Sequence, residues 1–217
     1  MKKIILPALV LFAATITSNA QIKKGSILLG GQISATAASS NVTQNNTTTT
    51  QQKSSGYSIS PAFGKAIKEN LIIGADLLFS HQKNDYTGGP YQKGNDYGLG
   101  VFVRQYKQLG KYFYFFTQLR AGGSYGQTDF TDNTNNNDSH SKGYSFQLAV
   151  YPGIAYSVNN KLQIEAGFNN LAYIQFSHNK QWSDANNGWT SKTNNFSLGS
   201  SLSNFAGPSV GFRLLFN

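Results

Sequence analysis

The sequence contains no cysteine, and its acidic residues are few. Without cysteine the chain has no disulfide framework, no lipid-modified cysteine after an export signal, and none of the cysteine-based metal or nucleophile motifs. Only three histidines are present, and neither a metal site nor a cofactor is expected. A packed core or a closed sheet must therefore stabilise the fold.

Long apolar runs are missing as well, except near the N-terminus. Residues 1–20 begin with a lysine pair, continue with an apolar stretch too short to span a bilayer, and end in the small-x-small sequence SNA. This pattern predicts a cleaved signal peptide at 1–20 and one exported domain at 21–217; a buried N-terminal helix is the alternative. Without Lys2 and Lys3 the exported domain has 16 basic and 9 acidic residues, a net charge of +7. This charge favours an anionic membrane surface or lipopolysaccharide as partner, and not nucleic acid.

After residue 20, apolar residues do not recur at helical spacing. They alternate with polar and small residues, which is typical of half-buried β-strands. Between 71 and 79, for example, Leu71, Ile73 and Leu77 alternate with Gly74 and Asp76. Eight segments follow this pattern, the last at 209–216, and they predict an all-β protein of eight strands.

The segments between these strands alternate in length. Short turns are predicted at 68–70, 109–111 and 159–161, and long polar segments at 39–55, 81–95, 131–143 and 178–195. In an antiparallel up-and-down β-barrel this order gives four long loops at one end and three short turns at the other. Transmembrane barrels have this arrangement, with extracellular loops and periplasmic turns.

Five charged residues lie deep within the predicted strands: Asp76, Arg104, Arg120, Glu165 and Arg213. In our registers all five share a face with small and polar residues, and the opposite, apolar face has no charge in mid-strand. A lipid-facing surface requires this, because a basic residue at its middle costs about 2–4 kcal/mol. A water-facing surface of that kind would aggregate. The pattern favours a transmembrane barrel; a soluble, lipocalin-like exported barrel that binds a small ligand is the alternative.

With these features the sequence resembles the eight-stranded outer-membrane β-barrel proteins of Gram-negative bacteria, the OmpA/OmpX-like and "porin family" proteins, particularly the Bacteroidetes type. The family's C-terminal assembly signal reads polar-x-Gly-x-x-apolar-x-aromatic, and the matching residues are Ser209, Gly211, Leu214 and Phe216. Asn217 departs from it by following the aromatic residue. The resemblance implies a monomer of the cell outer membrane that contacts the barrel-assembly machinery and outer-membrane lipid.

An eight-stranded barrel is narrow enough for its own side chains to fill. As in OmpA-type barrels, the five interior charges predict a network that plugs the lumen; separately solvated charges beside a thin water path are the alternative. The expected role is structural, adhesive or that of a small passive pore, without enzyme activity. An enzyme that modifies lipid A or phospholipids is the alternative function, although Ser80-His81 and Ser177-His178 are sequence neighbours that point to opposite faces of a strand.

Two surface sites are predicted where strands enter the long segments. The candidates for contacts with lipopolysaccharide phosphates are His81, Lys83, His178 and Lys180. Ordinary polar residues at strand ends are the alternative interpretation. Trp182 and Trp189, in the last long segment, predict a surface that binds an extracellular ligand such as a glycan or a protein.

Overall fold

The computed structural model describes residues 22–44, 47–86, 91–131, 138–168, 171–184, 188–200 and 209–216. The predicted signal peptide and Asn217 lie outside these residues. Within them, no helix is long and apolar enough to cross a membrane. The ten strands are β1 (Ile27–Gln44), β2 (Thr47–Lys68), β3 (Leu71–Tyr86), β4 (Tyr91–Gln108), β5 (Phe113–Thr131), β6 (Ser139–Ser157), β7 (Leu162–Gly167), β8 (Ala172–Ser183), β9 (Thr190–Ser200) and β10 (Ser209–Phe216).

The strands form one antiparallel sheet. Consecutive strands pair from β1 to β6, and β6 also pairs with β7. Because β10 pairs with both β7 and β1, the sheet returns to its first strand. Near the turn end every strand of this ring therefore has a partner on both sides, whereas residues 34–44 of β1 pair only with β2.

The sequence pattern did not predict β9, nor that β8 is separate from β7. Residues 153–157 of β6 pair with β7, whereas residues 139–150 of the same strand pair with β8. Strand β9 pairs with β8 in turn. The hairpin of β8 and β9 therefore continues the wall along β6, beyond the part that β7 and β10 form. The sheet has ten strand segments where the sequence pattern predicted eight.

The prediction of long loops was wrong over much of its length. Strand β1 ends at Gln44 and strand β2 begins at Thr47, so most of the segment 39–55 is paired strand. The other three long segments likewise contain strand ends. Threonine and other polar residues fit a pleated sheet that meets water on both faces, and pairing satisfies their backbone groups. Such strands lack the apolar alternation on which the prediction depended.

The three short connections lie at one end of the sheet, called the turn end here; the opposite end is the loop end. The connections join β2 to β3, β4 to β5 and β6 to β7. Along the strands, exposed apolar side chains alternate with buried ones. In β10 the exposed side chains are Val210, Phe212, Leu214 and Phe216. The outer face of the sheet is therefore largely apolar.

The interior is less polar than the sequence predicted, because an apolar cluster fills it near the turn end. The buried members are Ile22, Leu28, Ala66, Ile72, Phe102, Tyr106, Tyr114, Phe116, Ala155 and Leu215. Ile22 precedes β1 and is fully buried, and its carbonyl oxygen accepts a hydrogen bond of 3.0 Å from the backbone N–H of Asn70. The chain before the first strand thus helps to fill the turn end.

Candidate functional site

Glu165 lies in the interior between two arginine side chains. Arg104 Nη1 donates a hydrogen bond of 2.6 Å to Glu165 Oε2, and Arg213 Nη2 lies 2.7 Å from Glu165 Oε1. The three residues are at most 3% exposed. Each carboxylate oxygen of Glu165 therefore faces a different guanidinium group, and one negative charge is the counter-charge for two positive charges. We call these three residues the lower cluster.

Neighbouring polar and aromatic side chains hold Arg104 in place. Its Nε donates a hydrogen bond of 2.8 Å to Gln118 Oε1, and its Nη1 also donates one of 3.1 Å to the Tyr106 hydroxyl. The guanidinium carbon lies 4.4 Å from the centroid of the Phe116 ring. A planar guanidinium suits this environment, because its edge carries five donors while its face stacks on aromatic rings.

Arg120 and Asp76 form a second pair, called the upper pair, closer to the loop end. Arg120 Nε and Nη2 donate to the Asp76 carboxylate, at 2.9 Å and 2.6 Å respectively. The guanidinium packs closely against Gly100 and Gly122, where an added Cβ would lie 2.6 Å from it. Glycine at these positions makes room for the pair. The five charges predicted to form one network thus make direct contacts in two groups.

A cavity of about 220 Å³ lies in the interior and is bordered by both groups. Its lining includes Asp76, Arg104, Arg120, Gln118, Tyr151, Arg213 and four serine residues. Phe102 and Phe116 of the apolar cluster also border it. The polar interior and the aromatic packing therefore meet at the level of Arg104.

The predicted lipopolysaccharide contacts lie on two separate parts of the wall, because His81 and Lys83 are on β3 whereas His178 and Lys180 are on β8. Both imidazoles have amide partners. The Nδ1 atoms of His81 and His178 lie 2.8 Å from Asn95 Oδ1 and 2.6 Å from Asn194 Oδ1, respectively. Neither histidine is paired with the serine that precedes it.

His140 makes two ion-pair contacts at the loop end, although it was not among the site residues predicted from the sequence. Its Nδ1 lies 2.8 Å from Asp129 Oδ1, and its Nε2 lies 3.0 Å from Asp184 Oδ2. The ring packs on Trp182 with 5.5 Å between centroids, while Trp189 is exposed just before β9. The register explains the first contact, since His140 lies opposite Asp129 on one side and Trp182 on the other.

No protein-family model and no curated protein sequence matches the chain. Among solved structures it is similar to the translocator domain of the autotransporter NalP from Neisseria meningitidis, with a TM-score of 0.54 and 14% identity over 89% of this chain. It is also similar to the outer membrane protein OprG from Pseudomonas aeruginosa, with a TM-score of 0.50 and 14% identity over 92% of this chain. The chain spans 64% of the NalP domain and 100% of OprG. The fold is that of outer-membrane β-barrel proteins.

The predicted assembly signal lies on the strand that closes this fold. Leu214 and Phe216 are exposed on the outer face of β10, whereas Ser209 and Gly211 point inward. Phe216 pairs with Ile27 of β1, so the last described residue lies beside the beginning of the first strand. The motif therefore lies on β10, whose pairing with β1 closes the barrel.

We expect the pKa of His140 to lie above its ordinary value of about 6.5. The hydrogen bond to Asp129 is the main cause that raises it, while burial opposes and Asp184 assists. A raised pKa in the folded protein means that the stabilisation is complete below the ordinary pKa and is lost as the pH rises through the raised one. Titration of the imidazole by NMR measures this value.

Two substitutions at the loop end test the cause of that shift. Asp129→Asn is expected to lower the pKa of His140, because it removes the charged acceptor. Asp138→Asn removes the same charge in the neighbouring segment and is expected to have a smaller effect. Equal effects of the two substitutions would contradict the assigned cause.

Proposed function

We propose that the protein is an integral outer-membrane β-barrel with eight transmembrane strands and an occluded lumen. In this proposal β7 and β8 belong to one span, and β9 and β10 belong to another. The ring of β1 to β7 with β10 supports the count, since it contains eight strands. Export through the signal peptide at 1–20 and a monomeric state are parts of the same proposal.

The distribution of charge carries the proposal. The strand charges Asp76, Arg104 and Glu165 are buried, while Leu99 and Val101 on the opposite face of β4 are 66% and 59% exposed. Lipid imposes this arrangement, because its hydrocarbon neither solvates charge nor satisfies backbone groups. A soluble lipocalin-like barrel would bury its apolar face, so this observation favours the membrane.

The interior favours a structural or surface role over a pore. The lower cluster joins β4, β7 and β10 across the interior. Tyr106 and Phe116 pack beside it, so side chains occupy the lumen at this level. The amide contacts of His81 and His178 leave neither Ser–His sequence pair as a dyad, which favours a protein without enzyme activity.

Measurements in planar bilayers test the occluded lumen. We expect no large, stable conductance from the wild-type protein. The double variant Asp76→Ser/Arg120→Ser is also expected not to conduct, because it removes only the upper pair and leaves the lower cluster and its aromatic neighbours. Cell fractionation tests the location: the protein should remain with outer membranes and migrate differently on gels after heating. Large conductance of the wild type would contradict the occlusion, and release into the periplasmic fraction would contradict the membrane location.

A further inference from the structure

Three lysine residues lie side by side on the outer face near the loop end. Lys142 of β6 lies directly opposite Lys180 of β8, and Lys180 lies directly opposite Lys192 of β9. All three are exposed, and we call them the lysine row. Like charges that face each other across strands are destabilising, so the fold alone gives no reason for this arrangement.

The side chain of Trp182 lies close to two of these lysine ammonium groups. The Nζ atoms of Lys142 and Lys180 lie 5.6 Å and 5.5 Å from the centroid of the Trp182 ring. The indole also packs against His140, which contacts Asp129 and Asp184. The ammonium groups of Lys142 and Lys180 therefore lie close together beside the Trp182 ring, which His140 supports.

The lysine row has no internal counter-charge within the part of the chain that the structure describes. The ion pairs there do not include any of its members. The acidic side chains of Asp129 on β5 and Asp184 after β8 contact His140. On β5 the position opposite Lys142 is the uncharged Gln127. The row therefore offers positive charge to an external anion.

An apolar layer lies near the row on the side of the turn end. The register places successive layers of outward side chains there, first Tyr144, His178 and Asn194, and then Phe146, Phe176 and Phe196. The three phenylalanines are exposed, Phe196 by 73%. Aromatic layers of this kind mark the border between hydrocarbon and headgroups in membrane barrels. The lysine row lies two outward layers from the phenylalanines, with the layer of Tyr144, His178 and Asn194 between them.

We propose that the lysine row binds the phosphate groups of a glycolipid in the outer leaflet, with the acyl chains against the three phenylalanines. This inference rests on the proposed outer-membrane location. A lipid is the occupant rather than free phosphate because the exposed phenylalanine layer lies only two outward layers from the charged row, on the same wall. Trp182 positions Lys142 and Lys180, while Lys192 extends the site to β9. Of the three lysines, Lys180 was predicted from the sequence as a phosphate contact, whereas Lys142 and Lys192 were not.

Fluorescence of Trp182 reports binding directly, because the chain has only two tryptophans and Trp189→Phe leaves Trp182 alone. The refolded protein in detergent micelles is titrated with lipid A that carries both phosphates. We expect the Trp182 emission to change and saturate as the phosphates draw the ammonium groups away from the ring. Lipid A from which the phosphates have been removed is expected to cause little change.

The triple variant Lys142→Gln/Lys180→Gln/Lys192→Gln is expected to bind about 100-fold more weakly. Each lysine near an anionic headgroup contributes about fivefold in affinity. Native mass spectrometry measures this loss independently of Trp182. The matched control removes three exposed lysines at the turn end and should bind as the wild type does; it carries Lys23→Gln, Lys111→Gln and Lys161→Gln.

Equal binding by the triple variant and the control would overturn the site, as would equal binding of the dephosphorylated lipid. Competition by inorganic phosphate at the concentration of the lipid would assign the row to a free anion and overturn the lipid. These results leave the proposed function intact if the protein still migrates in a heat-dependent manner and fractionates with outer membranes. Failure of that fractionation would instead overturn the location on which the inference rests.

Discussion

The Glu165→Gln variant is expected to unfold at a much lower urea concentration than the wild type, or not to refold at all. The substitution leaves Arg104 and Arg213 buried without a counter-charge. Breaking a buried ion pair by removing one partner costs roughly 3–5 kcal/mol, which is a large part of the stability of a small protein. Urea unfolding in micelles, followed by tryptophan fluorescence, measures the change.

Two further variants show whether the buried charge is the cause. Glu69→Gln makes the same chemical change at an exposed position in the turn after β2, and it should leave the free energy of unfolding nearly unchanged. Adding Arg213→Gln to Glu165→Gln should recover part of the loss, because one uncompensated cation is removed. If Glu165→Gln and Glu69→Gln were equally stable, the interior charges would be solvated separately, as the alternative interpretation of the sequence holds.

Val101→Arg is expected to destabilise the protein in lipid vesicles by about 2–4 kcal/mol, the cost of a basic residue at the middle of a lipid-facing surface. Val101 is exposed on the outer face of β4, between Ala75 of β3 and Ala121 of β5. Its neighbours are small and apolar, so an arginine there finds neither a counter-charge nor water. Equilibrium unfolding in vesicles measures the free energy.

Gln105→Arg is the matched control on the same strand. Gln105 is exposed on the same face, two outward positions nearer the turn end. Near the membrane interface a basic residue costs only about 0–1 kcal/mol. In a soluble barrel both positions would face water, where substitutions usually change stability by less than about 0.5 kcal/mol. Equal, small effects of the two arginines would therefore contradict a lipid-facing surface and support the lipocalin-like alternative.

The faces of the strands could be predicted because alternation is a local property of the sequence. Arg213 lies between Phe212 and Leu214, and a period of two residues is enough to put it on the other side of the sheet from both. The register between strands is not local, since it depends on how far each hairpin extends. The contact between Glu165 and Arg213 and the alignment of Lys142 with Lys180 therefore became visible only in the structure.

Other features were missed because they leave no periodic signal. The polar ends of β1 and β2 are paired strand, yet both faces carry the residues typical of loops. Ile22 is a single apolar residue among polar neighbours, and only its fit beneath the strands makes it part of the core. The end of β8 and the start of β9 lie within one polar segment, so their pairing could not be inferred from composition.

The pairing of β1 with β10 has a consequence for folding kinetics. It joins Ile27 to Phe216, residues from opposite ends of the described chain, and such distant contacts form slowly because loop closure costs entropy. Arg213 is carried by β10, so it reaches Glu165 only as that last strand docks. Until then the carboxylate and Arg104 lie in an open, hydrated sheet. Closure of the barrel and desolvation of Glu165, Arg104 and Arg213 are therefore one cooperative step. This step is expected to limit the rate of folding.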